Sequence, residues 1–82
     1  MRFTVTWHPS ATEELTQIWL DAADRNAITQ AANAIDHALA DDPQNKGEEF
    51  YGDRLFVATP LAVTFAVHDA DRVVQVLQVR HQ

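Results

Sequence analysis

Large apolar residues alternate with small or polar ones through Leu61-Ala62-Val63-Thr64-Phe65-Ala66-Val67-His68. A period of two marks a strand with one face buried and the other open. Asp69-Ala70-Asp71 turns the chain, and Val73 to Val79 runs back as a further strand. Arg54 to Ala58 precedes this hairpin, set off by a break at Thr59-Pro60. Near the N-terminus, Arg2 to Trp7 also reads as a strand, with Phe3, Val5 and Trp7 on one side and Thr4 and Thr6 on the other. Such a sheet buries one face only if another layer covers it.

The period changes between Ser10 and Ala40. Ala11, Leu15, Ile18, Trp19 and Ala22 recur at intervals of three and four, an apolar helical stripe. Ser10 and Glu13 have the spacing of a capping box at its start. Asp24-Arg25-Asn26 interrupts the stripe and offers a new N-cap, after which Ile28, Ala31, Ala32, Ile35, Ala38 and Leu39 form a second stripe. Asp41 and Asp42 oppose the helix dipole and Pro43 forbids continuation, so this helix should end near Ala40. Asp42 to Gly52 reads as a long polar linker, either a solvated connector or a functional loop.

The resulting order is β-α-α-β-β-β in one α+β domain spanning residues 1–82. Short connections favour an antiparallel four-stranded sheet with a two-helix hairpin packed on one face. Trp7, Leu15, Trp19, Ile35, Phe65, Val67 and Leu77 are the expected core. The register of the last hairpin stays open, because Val73-Val74-Gln75-Val76-Leu77-Gln78-Val79 is apolar on both faces.

Composition narrows the function. The chain has no cysteine, so neither disulfides nor thiolate metal ligands contribute. His8, His37 and His68 lie on different elements without metal-site spacing, and neither a metal nor a small-molecule cofactor is expected. No apolar run approaches the roughly 18 residues of a membrane span, and the N-terminal stretch lacks a signal peptide's apolar core. A cytoplasmic protein with no membrane partner is the expectation. Twelve acidic residues against six basic ones give a formal net charge of −6. Arg2, Arg25, Lys46, Arg54, Arg72 and Arg80 form no run, which argues against tight, unassisted binding to nucleic-acid phosphates.

Several of these features, in this order, resemble the RelE/ParE superfamily of small toxins from type II toxin–antitoxin (plasmid-stabilisation) systems. They are the first strand ending in Trp7, the helix from Ala11 through Leu15 to Ile18-Trp19, and Ile35-Asp36 in the second helix. The Asp42-Pro43 stop, Gly47-Glu48, Arg54-Leu55, Val63-Thr64-Phe65-Ala66-Val67 and the closing Val76-Leu77-Gln78-Val79-Arg80-His81 complete the set. The resemblance implies growth inhibition by one of two routes: RelE-like mRNA cleavage on the ribosome, or ParE-like inhibition of DNA gyrase. It also implies a cognate antitoxin, expected to use exposed apolar sheet positions and the two-helix surface by helix-in-groove packing or strand addition.

For ribosome-dependent mRNA cleavage, the resemblance points to Glu48 or Glu49 as base and to Arg54, Arg80 and His81 as phosphate ligands or acid. Metal-free cleavage needs a base for the 2′-OH, a cation for the developing phosphorane charge and an acid for the leaving oxygen. Two departures weigh against it. Ala62 stands where such enzymes usually carry an arginine, and Gln82 stands where a tyrosine often follows the histidine. Removing a charge-stabilising group of this kind costs on the order of 10²–10³ in rate. Alternatively, Glu48 and Glu49 hydrate the linker, Arg54 pairs with a neighbouring carboxylate, His81 is a solvated terminal residue, and the domain is a degenerate, non-toxic protein-binding module.

Overall fold

The computed structural model describes residues 2–82. Its elements are β1 (Thr4–Trp7), α1 (Pro9–Asp21), α2 (Arg25–Ala40), β2 (Glu48–Phe50), β3 (Asp53–Ala58), β4 (Leu61–His68) and β5 (Val73–His81), with one 3₁₀ turn at Pro43–Asn45. The strands form a single sheet ordered β1-β5-β4-β3-β2. The α+β architecture and the helix pair agree with the pattern in the sequence. The sheet differs in two respects: it has five strands rather than four, and β1 runs parallel to β5, so it is mixed rather than antiparallel.

The fifth strand is β2, inside the expected linker. Its three exposed residues carry no burial contrast, hence no readable period. Tyr51 and Gly52 join it to β3 with φ of 48° and 88°. Positive φ at both central residues is the two-residue hairpin turn whose twist matches paired strands. β2 occupies the outer edge of β3, which leaves the edge of β5 for β1.

A bulge resolves the register of the last hairpin. Val63 pairs with Val79 and Thr64 with Gln78, but Phe65 pairs with Val76, leaving Leu77 as the extra residue on β5. The bulge reverses the alternation, so Val74, Val76 and Val79 are all buried on the helix side. They join Leu61, Val63 and Phe65 of β4 beneath Ala11 of α1 and Ile28, Ala31, Ile35 and Leu39 of α2.

Ile35 and Phe65 are fully buried, as expected, while Trp7, Leu15 and Val67 are half-buried and packed against the core. Trp19 does not belong to it: the residue is 38% exposed at the rim between the helices. Its indole N–H donates to Thr29 Oγ1 at 3.3 Å, and the Arg25 guanidinium lies 4.6 Å from the ring centroid. The helical stripe places Trp19 next to Ile18 but cannot say which edge of the stripe meets α2. Leu77, in the bulge, is also half-buried.

Helix ends follow mostly local chemistry. Asp24 caps α2 by accepting from the Ala27 N–H at 3.1 Å, and α2 ends at Ala40 before Asp42 turns left-handed (φ 60°) ahead of buried Pro43. The cap of α1 lies two residues earlier than the Ser10 capping box: His8 Nδ1 accepts from the Ser10 N–H at 3.2 Å, with Pro9 in the first turn. Proline's fixed φ suits that position, so the helix starts there. β1 shields only the first part of β5. Beyond it α1 takes over, and Glu14 Oε1 accepts from the Val79 N–H at 3.2 Å. That contact pairs an edge donor that would otherwise offer itself to another chain.

Candidate functional site

Both helices lie on the face that holds Phe65, so the reverse face of the sheet is open. The pairings identify its occupants, because directly opposed residues share a face. One row runs Glu48–Leu55–Thr64–Gln78, the next Val57–Ala62–Arg80, and Phe50 opposes Asp53 near the hairpin tip. Phe50, Leu55, Ala62, Thr64, Gln78 and Arg80 line a hollow of about 350 Å³, with Ala62 (7% exposed) as its floor. Phe50 also walls a second depression of about 300 Å³, which reaches His8, Asp53 and Leu77.

The hairpin tip displays apolar surface. Tyr51 is 94% exposed, and Phe50 meets it edge-to-face at 4.8 Å. A bulky residue in the left-handed region costs about 1–2 kcal/mol, and Tyr51 holds that conformation while almost wholly in solvent. The sequence signal for the tip is a residue–glycine pair between two potential strands, Phe50-Tyr51-Gly52-Asp53. Glu48 and Glu49 beside it are both charged and show no alternation, so the segment reads as a loop.

The structure divides the five residues named for RNA cleavage. Glu48 and Arg80 lie on the open face. Glu49 opposes Arg54, which opposes Phe65, so both belong to the helix side. Arg54 donates from Nε to the Lys46 carbonyl at 2.9 Å and from a terminal nitrogen to the Gly47 carbonyl at 3.1 Å. Its fork thus holds the start of β2. His81 opposes Leu61 at the rim and borders both the open hollow and a cleft of about 580 Å³ against Glu13, Glu14 and Gln17 of α1. Arg80 opposes Ala62 directly.

Three strand spacings separate β2 from β5 and Arg80 lies one row beyond Gln78, which places the backbones of Glu48 and Arg80 roughly 16 Å apart. A base and a phosphate ligand acting on one linkage must both come within hydrogen-bond reach of it. Among the described residues no group of three or more histidine, cysteine, aspartate or glutamate side chains could hold a metal ion. No described helix is long and apolar enough to cross a membrane.

A helical hairpin on one face of a sheet ordered β1-β5-β4-β3-β2, with the reverse face open, is the RelE/ParE-like toxin fold. No family model and no curated protein matches the sequence. Solved structures share its fold. The chain is similar to one in the RelBE2 toxin–antitoxin complex from Mycobacterium tuberculosis, with a TM-score of 0.80 and 15% identity, covering 100% of this chain and 93% of that one. It is similar to a chain of the chromosomal ParDE system of P. aeruginosa (TM-score 0.69, 19% identity, 98% and 96% covered). It is also similar to one in the RelE–RelB complex of the archaeon Pyrococcus horikoshii (TM-score 0.68, 16% identity, 99% and 96% covered). The shared fold spans the whole length of the chain at identities too low to carry over individual residues.

Proposed function

We propose that this protein is the toxin of a type II toxin–antitoxin pair, neutralised by an antitoxin and inhibiting growth by binding a protein target rather than by cutting RNA. The observation that carries the first part is the end-to-end likeness to chains from toxin–antitoxin complexes, whose fold leaves one sheet face open. Support for the second part comes from Arg54, which spends its fork on two backbone carbonyls on the helix side. Ala62, opposite Arg80, further leaves the centre of the open face without a second cation. A gyrase-like target, as for ParE-type members of the fold, fits this arrangement better than the ribosome, whose RNA would repel a chain of net charge −6.

Induced expression in a bacterial host tests the reading. Growth should stop, and co-expression of the product of the adjoining reading frame should restore it. Primer extension on translated mRNA during the arrest should reveal no new in-frame ends, whereas a ladder of cuts would return the ribonuclease route. Unaffected growth without the adjoining gene would favour the degenerate, non-toxic domain. Plasmid supercoiling measured in the same cells reports on gyrase directly.

A further inference from the structure

The distribution of charge over the open face bears on what can dock there. Of the six cations, Arg25 is held by the Trp19 and Leu20 carbonyls, and Arg54 by those of Lys46 and Gly47. Arg72 lies 5.5 Å from the Phe3 ring centroid. Among the described residues, Arg80 is the one cation that the strand pairings place on the open face. Two carboxylates share that face at its other end, Glu48 opposite Leu55 and Asp53 opposite Phe50. Between them lies apolar surface: Phe50, Leu55 and the hollow floored by Ala62, with Val57 exposed alongside.

A phosphate backbone would meet these carboxylates and the repulsion of a chain at −6. An aliphatic side chain would find an apolar seat. Resting on the toxin reading above, we infer that the open face docks a cationic polypeptide segment of the antitoxin. Its apolar residues seat over Ala62 beside Phe50 and Leu55, and its lysines or arginines oppose Glu48 and Asp53. The antitoxin is therefore basic where it meets this chain.

Fluorescence anisotropy with the intact protein tests this without knowing the natural partner. The probes are three labelled oligomers of matched length: a peptide alternating leucine and lysine, one alternating leucine and glutamate, and a single-stranded RNA. The lysine peptide should bind most tightly and weaken as salt rises, as screened charge pairs do. The Glu48→Gln, Asp53→Asn double variant should weaken it roughly three- to tenfold, the range expected of two exposed pairs. Asp69→Asn with Asp71→Asn makes the same charge change at the far β4–β5 turn and should leave binding nearly unaltered. Ala62→Met, which fills the hollow without adding charge, should weaken the peptide by about tenfold, the value of one buried aliphatic contact.

Failure of the lysine peptide to bind, preference for the RNA or the glutamate peptide, or equal losses from both neutralised pairs would overturn the proposal. These readouts are separate from growth. Arrest relieved by the adjoining gene together with preference for the glutamate peptide would sink the docking inference alone. Absence of arrest together with the expected peptide results would sink the toxin reading, and with it the antitoxin as the occupant, while the preference of the open face for a cationic segment would stand.

Discussion

Gly47→Ala is the sharpest structural test, because one methyl group confronts backbone on the neighbouring strand. Gly47 has φ of 70°, and a Cβ built there would overlap the carbonyl oxygen of Leu55 and lie 2.8 Å from its carbonyl carbon. Backbone atoms in the middle of β3 cannot rotate aside as a side chain would. The left-handed conformation alone costs alanine about 1–2 kcal/mol, offset by about 0.4–1 kcal/mol because alanine restricts the unfolded chain more than glycine does. Relief of the overlap requires β2 to move off β3. That movement disturbs the Glu48–Leu55 pairing and Arg54's two contacts, each contributing about 1 kcal/mol net. The total is about 3–4 kcal/mol.

A domain of 82 residues is stable by about 4–12 kcal/mol, so this loss is large. It also has a ceiling, because the chain can escape the overlap by releasing β2 alone. Urea unfolding followed by fluorescence gives the midpoint and slope, and amide hydrogen exchange gives the location. The expected result is a lower midpoint with protection lost first at Glu48, Phe50 and Leu55, while Val63 and Phe65 of β4 keep theirs. A variant within about 0.5 kcal/mol of the parent, the usual range for neutral surface changes, with β2 still protected would refute the close approach of Gly47 to β3.

Arg54→Lys should cost about 1–2 kcal/mol and speed exchange around Lys46 to Phe50, since an ammonium cannot reproduce a fork that donates to two carbonyls at once; unchanged exchange there would remove Arg54 as the anchor of β2. Tyr51→Asn should stabilise by about 1 kcal/mol, read as a rise of about 4–8 °C in Tm, because asparagine tolerates the left-handed turn position and Tyr51 is almost wholly exposed. Glu14→Ala should cost about 1–2 kcal/mol by leaving the Val79 N–H unpaired at the edge of β5, whereas Glu14→Gln, which keeps an acceptor, should stay near the parent in thermal unfolding. Phe65→Ala, at 0% exposure, should cost about 3–5 kcal/mol in the same measurement.

Periodicity locates α1, α2 and β4 because period records which side of a segment faces the core, and the two sides differ in those segments. Apolar runs bounded by Thr59-Pro60 and Asp69-Ala70-Asp71 mark β3 and β5, and Asp42 and Pro43 mark the end of α2 through their own backbones. The candidate site was less legible. Glu48 and Glu49 are neighbours in sequence, yet the pairing of β2 sends them to opposite faces, and a segment read as a linker has no faces to assign. Arg54 lies on a readable strand, but its partners are main-chain carbonyls that carry no side-chain signature.

The amino-acid sequence by itself determined the helix pair, the alternating late strands, the acidic balance and the absence of cysteine, since each is a property of residues or of their local spacing. Tertiary structure alone decided that β1 joins β5 in parallel, that Leu77 bulges so that Val76 and Val79 share a face, that Trp19 sits at a rim, and that Arg54 turns away from Arg80. Each of these is a relation between segments. It is set by which edge is vacant and which register buries the most apolar surface, and neither quantity exists until the segments have met.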